Sequence, residues 1–173
     1  EAPSGTNATV TITEDTAHVL TAANFGFSDV DAGDALSAVR IDTLPTAGTL
    51  TLSGTAVTAG QVITTADLAA SQLVFTPAAN ANGTGYARVA FSVRDSTSLY
   101  DPTPNTLTVN VTAVNDRPTD LSLSANTVAE HAANGTVVGT VTGSDPDAGD
   151  TKSYSLTNTA GGRFAINRTT GAL

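Results

Sequence analysis

The sequence lacks cysteine, methionine and tryptophan altogether, and holds only three tyrosines and five phenylalanines. Without cysteine there is no disulfide, no thiolate nucleophile and no zinc–sulfur site. In an exported chain that leaves the hydrophobic core or a bound metal as the source of stability. Cations are scarce as well: seven Lys and Arg stand against sixteen Asp and Glu, for a net charge of −9. Such a surface repels nucleic acid and acidic membranes, and both are discarded as partners. No apolar run approaches the roughly 20 residues of a membrane helix, so direct membrane insertion is discarded too. Two histidines, His18 and His131, and no nucleophile elbow leave no basis for a Ser-His-Asp triad. A glycosidase built on paired carboxylates has no aromatic platform beside it. The expectation is a non-enzyme.

What the chain does contain is repetition. Ser28-Asp29-Val30-Asp31-Ala32-Gly33-Asp34 returns as Ser144-Asp145-Pro146-Asp147-Ala148-Gly149-Asp150, 116 residues later and with one substitution. Glu14 and Glu130 keep the same offset of 116. Glu1-Ala2-Pro3 corresponds to Asp116-Arg117-Pro118. The densest carboxylate cluster therefore falls at the same place in each copy, and closely packed hard oxygens suit Ca²⁺.

Thr, Ala, Val and Gly dominate, and the apolar residues alternate with period two. Asn7–Thr13, Leu36–Ile41, Thr49–Leu52, Gln72–Phe75, Tyr86–Arg94 and Thr106–Val114 all read as strands. Thr65–Ala70 reads as one helical turn with Thr65 as N-cap. Seven to nine short strands in about 110 residues predict a β-sandwich. The expected division is a complete sandwich over residues 1–114, a stiff Pro-containing linker over 115–118 and a partial second sandwich over 119–173. In the second copy Leu121/Leu123, Val137/Val138/Val141, Tyr154/Leu156 and Phe164/Ile166 are the candidate strand cores, with too few strands to cover them.

The order of these motifs resembles the cadherin-like tandem repeats of large secreted bacterial adhesins of the RTX type. Glu14 and Glu130 match the first-strand glutamate. The Asp29/Asp31 and Asp145/Asp147 pairs match the Asp-x-Asp motif, and Val93-Arg94-Asp95 matches the late-strand aspartate. Val114-Asn115-Asp116-Arg117-Pro118 is similar to the Asp-x-Asn-Asp-Asn-x-Pro linker, and Phe164-Ala165-Ile166 with Thr170-Gly171-Ala172-Leu173 to the mid-domain motif. The sequence departs from the pattern at Ala113 and Arg117, where a linker Asp and Asn belong, and the middle Asp-Arg-Glu motif has no clear counterpart near Asp67. The resemblance implies an all-β, Ig-like Greek-key sandwich in tandem. It also implies Ca²⁺ at the joints, with fewer or more weakly held ions than in animal cadherins, and a secreted or cell-surface setting that supports adhesion or biofilm formation. Neighbouring repeats are then the direct partners, with cell-surface glycan or protein engaged by other parts of the parent.

On this reading one joint uses Glu14, Asn115 and Asp116 with Asp145 and Asp147. The upstream joint uses Glu1, Asp29, Asp31 and Asp95, and Glu130 serves a downstream joint. Asp34 and Asp150 follow glycines, Gly33 and Gly149, that let the turn fold back toward a ligand. An extended Asp-x-Asp would point both carboxylates the same way. The loop is not an EF-hand, because its twelfth position is Arg40 in one copy and Leu156 in the other. Asp15, Asp101 and Asp120 are expected to be plain surface charge. The alternative reading is a carbohydrate- or protein-ligand-binding module.

Overall fold

A computed structural model describes all residues, 1–173. The regular structure of the chain is almost wholly strand, and the chain divides into two compact units, Glu1–Val114 and Asn115–Leu173.

Unit 1 runs β1 (Ala8–Thr13), β2 (His18–Val19), a 3₁₀ turn (Ala22–Asn24), β3 (Ala38–Ile41), β4 (Thr49–Leu52), β5 (Thr55–Ala56), β6 (Val62–Thr64), α1 (Thr65–Ala69), β7 (Leu73–Thr76), β8 (Gly83–Arg94) and β9 (Asn105–Thr112). One sheet has the order β1-β9-β8-β3-β6 and the other β2-β7-β4-β5. All pairings are antiparallel except β1 with β9, which is parallel from Ala8 opposite Leu107 to Thr13 opposite Thr112.

Alternation decides which face of each strand is dry. Along β8, Ala87, Val89, Phe91 and Val93 are buried, while Arg88, Ala90, Ser92 and Arg94 take the other face. They meet Val39 and Ile41 of β3, Leu107, Val109 and Val111 of β9, and Leu50, Leu73 and Phe75 from the opposite sheet in one core. Phe25, from the 3₁₀ turn, packs edge-to-face on Phe91 with ring centroids 5.0 Å apart. Each such side chain contributes about 1.5–3 kcal/mol by leaving water, so Phe91→Ala, at the centre of both contacts, costs about 3–5 kcal/mol.

The helical turn starts one residue earlier than the sequence reading has it. Thr64, in extended conformation, is the N-cap: its hydroxyl accepts from Asp67 N–H, and Asp67 Oδ2 accepts from Thr64 N–H at 2.9 Å. The Thr64 hydroxyl and then its N–H hold the Asp67 carboxyl below its ordinary pKa. Asp67 thus serves a capping box.

Unit 2 contains two short strands, β10 (Thr119–Leu123) and β11 (Val141–Ser144), paired antiparallel with a register shift between Thr119 and Ser122. A bridge from Thr140 to Ala172 brings the last residues alongside. The strands expected at Tyr154/Leu156 and Phe164/Ile166 do not form, because no neighbouring strand offers them a ladder. No hydrophobic side chain of this unit is buried; the only buried residues are Gly139 and Gly171. At both, a Cβ would collide with backbone, that of Ala125 and of Val141 respectively. No helix of the chain is long and apolar enough to cross a membrane.

Candidate metal centres

The acidic loop of unit 1 lies between a bridge at Ser28, which pairs with Ser4, and strand β3. Its backbone is a pair of linked turns rather than an extended segment. Asp29 Oδ1 accepts from Asp31 N–H at 2.9 Å, and Asp34 N–H then donates back to Asp31 C=O at 3.2 Å. Gly33, at φ +100°, makes that reversal, a conformation L side chains rarely adopt. The loop of unit 2 repeats this construction bond for bond. Asp145 Oδ1 accepts from Asp147 N–H at 3.1 Å, Asp150 N–H donates to Asp147 C=O at 3.3 Å, and Gly149 stands at φ +98°.

The same turns gather different carboxylates in the two units. In unit 1 Asp29, Asp34 and Asp95 converge, each with one carboxylate oxygen within 4.8 Å of the others. Asp31 points elsewhere, toward the amino group of Glu1, with which it pairs. Asp29 and Asp31 are therefore not in one group, although their counterparts Asp145 and Asp147 are. Residue 34 is carried inward instead.

Asp95 closes β8 and is completely buried. One of its oxygens, Oδ1, accepts from Leu99 N–H at 2.8 Å and from the Thr97 hydroxyl at 3.0 Å. Burial pushes its pKa up, but the bonds from Leu99 N–H, the Thr97 hydroxyl and Thr97 N–H outweigh it, and the carboxyl lies below its ordinary value. It is therefore an anion in the interior. Asp34 is steadied from the same turn by the hydroxyl of Ser96. Asp95 Oδ2 and Asp29 Oδ2 are both buried and have no hydrogen-bond partner. Two orphaned carboxylate oxygens in one pocket are costly unless a cation lies between them. A divalent ion about 2.3–2.6 Å from each oxygen accommodates oxygens up to about 5 Å apart, which fits this group.

Unit 2 brings Asp145, Asp147 and Asp150 together, so here the counterpart of Asp31 joins the group; all three come from one loop and are at least partly exposed. Asp147 Oδ2 also accepts the Asp116 N–H at 2.6 Å, and Asn115 Nδ2 donates to Asp116 C=O. Glu130 is exposed on a turn and belongs to neither cluster. Several acidic clusters of the chain can thus hold a metal ion.

Glu14, at the end of β1, is 1% exposed. Its Oε1 accepts the Val114 N–H at 2.7 Å and its Oε2 accepts from Asn82 Nδ2 at 2.9 Å. Nothing in the sequence points to this contact. Asp101, expected on the surface, is buried instead. It accepts from Gly5 N–H and Asn105 Nδ2 at 2.7 Å each and from Thr103 N–H at 2.8 Å, and so ties the entry of unit 1 to the start of β9.

No family model, no curated protein and no solved structure matches this chain.

Proposed function

We propose that the chain is a Ca²⁺-rigidified extender segment of an extracellular adhesin, built from cadherin-like, Ig-like Greek-key sandwiches in tandem. Asp29, Asp34 and Asp95 bind Ca²⁺ in unit 1, and Asp145, Asp147 and Asp150 do so in unit 2. The observation that carries this reading is the pair of buried, partnerless oxygens, Asp29 Oδ2 and Asp95 Oδ2, in a site of three converging carboxylates. Oxygen-only ligands with no histidine or thiolate favour a hard cation. The mechanism is mechanical. An ion joining loops that otherwise repel turns a soft connection into a stiff one, and the linker belongs to the same device. In unit 1 Glu14 holds the amide of Val114, the last residue of that unit, and in unit 2 Asp147 holds that of Asp116 in the linker, so carboxylates with ligand chemistry also fix the backbone there. A secreted or cell-surface setting, where Ca²⁺ is plentiful, and a role in adhesion or biofilm formation belong to this proposal.

Calorimetric titration of Ca²⁺ into metal-stripped protein tests it. Saturable binding that Asp95→Asn and Asp29→Asn each weaken at one site is expected. Heats no larger than dilution, or binding indifferent to both substitutions, would reject the reading.

A further inference from the structure

The cations of unit 1 are not scattered. Against its ten carboxylates stand three arginines, Arg40, Arg88 and Arg94. All three project from the same outer face of the five-stranded sheet: Arg88 and Arg94 alternate with the buried residues of β8, and Arg40 of β3 lies directly opposite Ser92. Their surroundings differ. Arg40 is neutralised in place, its Nε bonded to Asp42 Oδ1 at 2.5 Å and its Nη2 to Ser92, whose own hydroxyl donates to Asp42 Oδ2 at 2.7 Å. Arg94 makes no ion pair. Its single side-chain bond is from Nε to Ser37 Oγ at 3.1 Å, which leaves its terminal N–H groups without an acceptor.

Tyr100, bridged to Arg94 across the turn after β8, links the two arginines. Arg40 Cζ lies 4.6 Å and Arg94 Cζ 5.7 Å from its ring centroid. The Tyr100 hydroxyl has no hydrogen-bond partner. One half-buried spot thus offers an uncompensated guanidinium fork and a phenol, both oriented by stacking and both with donors to spare. That donor set recognises a carboxylate.

We propose that Arg94 and Tyr100 bind the carboxylate of an acidic saccharide. The remainder of the face argues for a sugar over an acidic protein surface. Thr106 and Thr108 stand on the same side by strand register and offer hydroxyls, with Val62, opposite Arg40, as the large apolar side chain exposed among them, less than the apolar centre a protein interface needs. Arg88 is unpaired too but has no ring beside it, so a single carboxylate fits the one unpaired arginine that is held on Tyr100, whereas a polyanion would meet the many acids of the unit.

Titrating the full chain, in EDTA, with sialyllactose while following the arginine Nε–H and backbone amide NMR signals tests this. Saturable shifts at Arg94 and Tyr100 that weaken with salt are expected, and lactose, which lacks the carboxylate, should leave them in place. Arg94→Gln should lower affinity at least about tenfold, Arg94→Lys and Tyr100→Phe less, and Arg88→Gln should change it little. Shifts with lactose, shifts of equal affinity with acetate, or binding retained in Arg94→Gln would overturn the proposal. So would concentration-dependent self-association abolished by Arg94→Gln in sedimentation velocity, which would assign the site to a second copy. The variants are compared only where amide spectra show the fold intact, and Tyr100→Phe keeps the ring contacts should Arg94→Gln unfold. Working in EDTA separates failure here from failure of the calcium reading.

Discussion

Glu14 grips Asn82 through one carboxylate oxygen and the amide of Val114 through the other, at 2.9 and 2.7 Å. The first bond fastens the loop before β8, and the second fastens the chain just past β9. Both are made to a buried anion, so each is worth about 1.5–3 kcal/mol. Glu14→Ala should therefore destabilise unit 1 by about 3 kcal/mol even in EDTA, seen as a lower urea midpoint at unchanged slope. Equal stability of variant and parent in EDTA would mean that Glu14 acts only through metal.

Metal loading should raise thermal stability. A ligand bound only by the folded state adds about 2.7 kcal/mol at a hundredfold excess over its Kd. Asp95→Asn should remove the part of the Ca²⁺-dependent shift that belongs to unit 1. A melting curve identical in millimolar Ca²⁺ and in EDTA would end the metal reading.

The Asp95 carboxyl has a depressed pKa in the folded state. A group of that kind binds its proton more readily unfolded than folded, so its contribution is complete above its ordinary value near 3.8 and fades as pH falls below it. In metal-free protein, stability should drop between about pH 4 and pH 2, and Asp95→Asn should flatten that slope. A wild-type slope in the variant would assign the acid sensitivity to other carboxylates.

Asp101 closes three hydrogen bonds to Gly5, Thr103 and Asn105. Asp101→Ala should cost about 2–4 kcal/mol. Hydrogen exchange should rise first at Gly5, whose amide the carboxylate holds, while the β3–β8 ladder keeps its protection.

Unit 2, which buries no hydrophobic side chain, should exchange its amides near the local-unfolding limit. Amides of Thr119–Leu123 protected as strongly as those of Gly83–Arg94 would show stability that its own packing does not account for.

Strand positions in unit 1 were legible because burial there is one-sided: β8 could be read from Ala87, Val89, Phe91 and Val93 alone. The acidic loops were legible as sites because their repetition is visible in the letters. Which carboxylates converge was not: around the same turns Asp31 pairs with the Glu1 amino group while its counterpart Asp147 stays with Asp145 and Asp150, and Asp95 comes from a distant strand end. Nor was the burial of Asp101, whose three donors come from Gly5, Thr103 and Asn105. The strands of unit 2 were over-read for the opposite reason. Alternation at Tyr154/Leu156 states what a strand would bury, and a strand also needs a partner to bond with.

The parallel register of β1 on β9 has a consequence under load. The chain enters unit 1 at the Ala8 end of this pair and leaves it at the Thr112 end, with six residue pairs in between. Tension applied through the two termini therefore slides one strand along the other. In that shearing geometry the cross-strand bonds share the force and fail together, instead of peeling open one at a time as a hairpin pulled from its open end would. A unit with modest equilibrium stability can be strong in this direction, and pulled in line, β1 and β9 form the catch that must slip before the core is exposed.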